Sequence, residues 1–220
     1  MRVFVLFFLV LLSFCCCAVA FGPVSCEELS STDLFTEMSF QVDSRISGLT
    51  DSAGRMALFT TRGTSTGTWV KNPDVWTNLG GVPLDFSGQS VWNSVSSDGG
   101  YRRSGTLVSP RHIIFGQHYP IGVGETFAFI DSEGEIVLRT LLDVEYITGV
   151  DGSCDVAVGL LDSDVPSTVA FYPVLSEEQI VRYFADSNGV PIITLDQNDE
   201  TIIRDVISFS HTCDTINGVC

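Results

Sequence analysis

The stretch SGTLVSPRHIIFGQHY, residues 104–119, decides how the rest of the chain reads. Residues 105–109 and 112–115 are short apolar runs of strand type, separated by Ser109-Pro110-Arg111. Pro110 has no N–H to give to a sheet ladder, so it marks a turn rather than a strand interior. The segment therefore predicts strand, tight turn, strand, and then a loop that carries His118. His112, inside the second run, reads as a barrel residue.

Similar runs continue on both sides. Upstream, Ala57-Leu58-Phe59-Thr60-Thr61 and Gly67-Thr68-Trp69-Val70 read as β-structure with glycine turns. Downstream, strands are expected over 126–130, 135–139 and 141–148, with Asp131-Ser132-Glu133-Gly134 as the hairpin between the first two. Another starts at Asp155 and runs out at Asp162-Ser163-Asp164, and residues 190–195 and 200–209 complete the set. Short helices are expected over 32–40 and, from the capping-box spacing of Ser176-Glu177-Glu178-Gln179, over 177–184. Such a chain predicts an all-β barrel with Greek-key or meander connections. Residues 71–100, rich in Asn, Pro, Gly, Ser and Trp, read as irregular. Trp76 and Trp92 within them admit either a ligand-stacking role or plugging of a barrel end.

Arg2, an apolar run to Cys17 and then Ala18-Val19-Ala20 have the form of a secretory signal peptide. Residues 1–20 are therefore set aside from the fold, and an extracellular location is expected. No other stretch is apolar enough to span a bilayer. Of the seven cysteines, Cys15, Cys16 and Cys17 leave with the signal, and Cys26, Cys154, Cys213 and Cys220 remain. An even number in an oxidising compartment suggests two disulfides, of open connectivity. His211, near Cys213 and Cys220, admits a zinc site, but export favours the disulfide. Eleven basic residues against 27 acidic ones leave a formal charge of −16, which repels nucleic acid and anionic membrane surfaces.

The strand opened by Ser104-Gly105-Thr106-Leu107, the turn, the second strand, and His118 two residues after Gly116 resemble the catalytic-histidine segment of trypsin-like serine proteases. Ser153-Cys154-Asp155-Val156-Ala157-Val158-Gly159-Leu160-Leu161 follows in the right order and is similar to that family's aspartate segment. The resemblance spans residues 100–175. It implies a chymotrypsin-like double β-barrel. Residues 21–56 would be an N-terminal arm or pro-segment, 57–165 a complete first barrel, and 166–220 a connector with part of a second. It also implies hydrolysis of a polypeptide substrate through an acyl-enzyme, by a monomer without metal or cofactor. His118 would act as general base and then acid, and Asp155 would fix its tautomer and stabilise the imidazolium.

The family's nucleophile has no match. No Gly-Asp-Ser-Gly occurs, and no serine after Asp155 is flanked by the glycines that permit a sharp turn. Ser208 and Ser210 lie in a strand-like run instead. No Ile-Val-Gly-Gly-like segment precedes His118, and Tyr119 stands where many animal members carry a half-cystine. Three expectations compete: a gene product that stops before its serine, an exported homologue that binds a protein ligand through Trp76, Trp92 and its acidic surface, or a likeness without kinship.

Overall fold

The computed structural model describes residues 31–49, 55–63, 67–79, 84–91, 103–148, 154–174, 176, 190–196 and 198–206. The signal peptide, the helix expected over 177–184, Cys26, Trp92, Ser208, Ser210, His211, Cys213 and Cys220 lie outside them. In chain order the elements are α1 (Ser31–Ile46), β1 (Arg55–Ala57), β2 (Phe59–Thr61), β3 (Val70–Lys71), β4 (Thr106–Leu107), β5 (His112–Gly116), β6 (Thr126–Ile130), β7 (Ile136–Ile147), β8 (Val156–Leu161), β9 (Val190–Leu195) and β10 (Glu200–Val206). Among the described residues the chain is all-β apart from α1 and a 3-10 turn at Trp76–Asn78.

Five strands form one antiparallel sheet in the order β4-β5-β8-β7-β6, and the sheet curls around an apolar core. Alternation decides which side chains enter it. Ile113 and Phe115 from β5, Phe127 and Phe129 from β6, and Ala157 and Leu161 from β8 are buried together. Gly159 sits on the same face because a Cβ there would come within 2.5 Å of Leu141 Cδ1. β6 is buried on both sides: its other face, Ala128 and Ile130, packs against Phe59 and Trp69 of the β2–β3 hairpin and against Val91. A strand covered on both faces reads as a continuous apolar run, which is what Phe127-Ala128-Phe129-Ile130 is.

The free edges of this sheet are β4 and β6, and residues 88–91 bond to both. Leu107 N–H donates to Gly88 O at 2.9 Å and Ser90 N–H to Gly105 O at 2.8 Å, while Val91 N–H donates to Ala128 O at 3.0 Å. The segment is held from behind by residues 165–172, whose Val165 and Val169 belong to the core. Ala170 N–H donates to Ser87 Oγ, and the hydroxyl of the half-buried Tyr172 donates to Asp85 O at 2.8 Å and accepts from Gly88 N–H at 3.3 Å. Burial, with the nearby Asp85 carboxylate, raises the Tyr172 pKa well above its ordinary value, so the phenol stays a donor.

β7 is one twelve-residue strand where the sequence suggests two. Its first half pairs with β6 and its second with β8, and the register shifts between Leu141 and Asp143. The shift is a β-bulge, which bends a strand without ending it. Before it, Val137 and Leu141 face the core; after it, Val144 does, opposite Gly159. The extra residue thus keeps Asp143 and Glu145 exposed.

A second sheet, β1-β10-β9, takes up the chain ends of the described region. α1 extends past the expected 32–40 because Val42 and Arg45, in its last turns, are buried. Arg45 donates to Thr77 O at 3.2 Å and to Leu79 O, which ties the helix to the 3-10 turn. Burial lowers the Arg45 pKa. Trp76 in that turn is 0% exposed, so it belongs to the interior and not to a recognition surface. His112 opens β5 in the curled sheet, on its outer face, and is exposed.

Asp131 caps the β6–β7 hairpin. Its Oδ1 accepts the N–H groups of Glu133 at 2.9 Å and Glu135 at 2.8 Å, with Gly134 at φ 91° completing the turn. Burial pushes the Asp131 pKa up, but bonds from Glu135, Thr168, Glu133 and Gly134 outweigh it, and the net shift is downward. A lowered native pKa contributes stability above the unfolded value, near 3.9, that is lost as pH falls through the native value. Asp131→Asn is therefore expected to unfold at lower urea than the parent at pH 7, with the gap closing toward pH 3. A gap independent of pH would contradict this. At Gly88 a Cβ would lie 2.3 Å from the Ala170 carbonyl oxygen, a backbone atom that cannot swing aside. Gly88→Ala is expected to cost about 2 kcal/mol or more, measured by urea denaturation.

Candidate active site

β5 ends and β8 begins at the same end of the sheet, with Gly116 opposite Val156. The ladder carries on one step, because Gln117 N–H donates to Asp155 O at 3.3 Å. His118, one residue further, then meets the side chain of that same aspartate. Asp155 Oδ1 accepts the backbone N–H of His118 at 2.7 Å, and Oδ2 lies 2.5 Å from His118 Nδ1. Two residues 37 apart in the chain thus meet through both a main-chain and a side-chain bond.

A carboxylate only accepts, so Nδ1 carries the proton and Nε2 lies on the opposite edge of the ring. The His118 side chain is 46% exposed and that of Asp155 24%, so the imidazole edge is open to solvent. The Tyr119 ring lies 4.3 Å from the imidazole, tilted by 54°. Gly116 closes the other side: a Cβ there would be 3.3 Å from both Cε1 and Nδ1 of His118. The buried carboxamide oxygen of Gln117 has no hydrogen-bond partner among the described residues.

The loop after His118 is fastened at several points. Ile121 is buried in the core, and Gly124 N–H donates to Leu141 O. Arg103 Nη1 donates to Pro120 O at 2.7 Å and pairs with Glu125 Oε2 at 3.3 Å. Sequence reading missed Arg103 and the ring contact of Tyr119. Arg103 lies 17 residues before its acceptor, outside any local motif.

Other groups of interest lie elsewhere. His112, at the far end of β5, has Nδ1 2.8 Å from Ser109 Oγ, which also accepts the N–H groups of Arg111 and His112. That is a turn cap built on Ser109-Pro110-Arg111. Cys154 carries a free thiol, so the two-disulfide expectation finds no support at that position. A solvent-open crevice of about 550 Å³ lies between Phe59, Lys71, Val91 and Ile130. Its Asn72, Asn78 and Gln89 amides are already bonded within the chain. Among the described residues no three His, Cys, Asp or Glu side chains gather as metal ligands, and no helix is long and apolar enough to cross a membrane.

No family model matches this chain, and no curated protein matches it in sequence.

The main-chain bond gives a direct test of the geometry. Asp155→Ala is expected to speed hydrogen exchange at the His118 amide by about tenfold or more, the weight of a bond to a charged acceptor. Exchange at the His112 amide, capped by Ser109, should not change. Equal rates at His118 in the two proteins would mean that Asp155 does not hold this loop.

Proposed function

We propose that the chain is an exported homologue of trypsin-like serine peptidases whose first barrel supplies the base, His118, and its orienting carboxylate, Asp155. The observation that carries this reading is the double engagement of His118 by one carboxylate, at the backbone N–H and at Nδ1. Such a pair of bonds fixes the residue's position and its tautomer together, which a stray surface ion pair does not do. The order of elements supports the same reading. The histidine follows β5, the aspartate precedes its neighbour β8, and residues 88–91 tie β4 to β6 as closure of a first barrel requires. A second barrel would draw on residues 166–220, whose β9 and β10 pair with β1.

Set opposite a serine hydroxyl, Nε2 of His118 would take the proton as the oxygen attacks a peptide carbonyl, and return it to the leaving amine. Asp155 would stabilise the imidazolium formed between these steps. His118 and Asp155 would form the acceptor end of this relay, whereas these 220 residues hold no glycine-flanked serine after Asp155. Peptide hydrolysis by this chain alone is therefore not expected. That same missing motif favours a second reading, an exported homologue that binds a protein ligand; Trp76, being buried, would take no part in it.

Hydrolysis of p-nitrophenyl acetate, which needs a base but no serine, separates the two. The rate is expected to fall about a hundredfold in His118→Gln, the low end of what a general base contributes, and less in Asp155→Asn. Rates unchanged in both variants would remove His118 from any chemistry and leave the binding reading. A fluorophosphonate probe is expected to label nothing in the parent chain. Label on Ser208 or Ser210 would place the nucleophile inside this sequence and overturn the statement that it is missing.

A further inference from the structure

We infer that Arg103 is the positioning residue of His118, acting through the loop that follows the histidine. The inference rests on the reading of His118 as a base, and concerns what holds its ring in place. Asp155 grips the imidazole at Nδ1. The second restraint is Tyr119, whose ring lies 4.3 Å from the imidazole. Tyr119 is itself 49% exposed, and its ring is carried by the loop backbone. What fixes the backbone beside it is Pro120, whose carbonyl accepts Arg103 Nη1 at 2.7 Å. The same nitrogen pairs with Glu125 Oε2, and the two partners are 13% and 19% exposed at the side chain.

One guanidinium thus spans the loop from residue 120 to residue 125. Glu125 O also accepts Leu141 N–H, so the far anchor is continuous with the core sheet. The restraint therefore runs from the core through Glu125, Arg103 and Pro120 to the Tyr119 ring, and from there to the face of His118. A guanidinium suits this role because it reaches a carbonyl and a carboxylate with a rigid, permanently charged group.

The test uses His112 as an internal reference. It is exposed and sits at the opposite end of β5, on no part of the Arg103 loop. Carbethoxylation by diethyl pyrocarbonate, followed residue by residue by mass spectrometry, reads the accessibility of each imidazole. In Arg103→Met the rate at His118 is expected to rise about fivefold with the rate at His112 unchanged, the size of one charge-assisted bond lost from a half-buried loop. Arg103→Lys should restore it to within about twofold, because an ammonium can still reach the carbonyl. Glu125→Gln, which keeps the bond to Pro120, should give an intermediate rise even if Arg103→Met folds poorly.

Equal rises at His118 and His112 would signify general loosening and overturn the inference, as would no rise at His118 in any variant. The low-field N–H proton of His118, identified by its loss in His118→Gln, separates this outcome from failure of the underlying reading. If that signal persists in Asp155→Asn, the histidine–aspartate pair itself is wrong. If it is lost in Asp155→Asn while Arg103 and Glu125 variants leave His118 reactivity untouched, the pair stands and only the role of Arg103 falls.

Discussion

The constraint on which the rest of this molecule depends is the need to satisfy two sheet edges with one short piece of chain. β4 and β6 each end the curled sheet with a row of backbone groups that must find partners, and residues 88–91 bond to both. That solution demands a close approach. Gly88 lies so near the Ala170 carbonyl that no side chain fits, and the Tyr172 hydroxyl must bridge Asp85 and Gly88 from inside. The curl this enforces is what gives Phe115, Phe127 and Phe129 a common interior. Each buried ring of that kind contributes about 1.5–3 kcal/mol, so loss of the closing segment would expose the largest favourable contribution in the fold.

The same curl creates the site without any special device. β5 and β8 are paired in register up to Gly116 and Val156, and the residues just beyond the ladder are an imidazole and a carboxylate. Their meeting is a continuation of strand pairing into side-chain chemistry. His112 illustrates the contrast. It too has a hydroxyl partner at hydrogen-bond distance, yet Ser109 is three residues away in a turn, and the contact merely caps that turn. What distinguishes His118 is a partner brought from a different strand, with its ring bounded by Tyr119 and Gly116.

Most strands were legible because alternation and turn residues mark them locally. The 126–130 run, the Asp131 to Gly134 hairpin, and β8 from Val156 stand close to where the sequence puts them. The pairing of His118 with Asp155 was also foreseeable, since both residues sit at strand ends in an ordered likeness to a known family. The closing segment was hidden. Gly88 to Val91 falls in a polar, glycine-rich region that reads as irregular, and its strand-like role appears only once two distant edges approach it. Residues 165–172 read as a connector for the same reason, although Val165 and Val169 pack in the core. Arg45 and Arg103 escaped because each reaches a main-chain carbonyl far along the chain, which leaves no signature in a sequence. β7 looked like two strands because the bulge inverts its alternation midway.

That inversion governs which length changes the chain can tolerate. Leu142 is the extra residue, so its removal would straighten the strand and leave Val144 inward and Asp143 and Glu145 outward, whereas a residue lost elsewhere in the strand turns over every side chain beyond it. A slip that turned Asp143 and Glu145 inward would bury two unpaired carboxylates, which is beyond what a domain of ordinary stability withstands. Insertions or deletions in relatives of this protein should therefore collect at Gly134 and similar turns, and within this strand should come only at Leu142 or in compensating pairs.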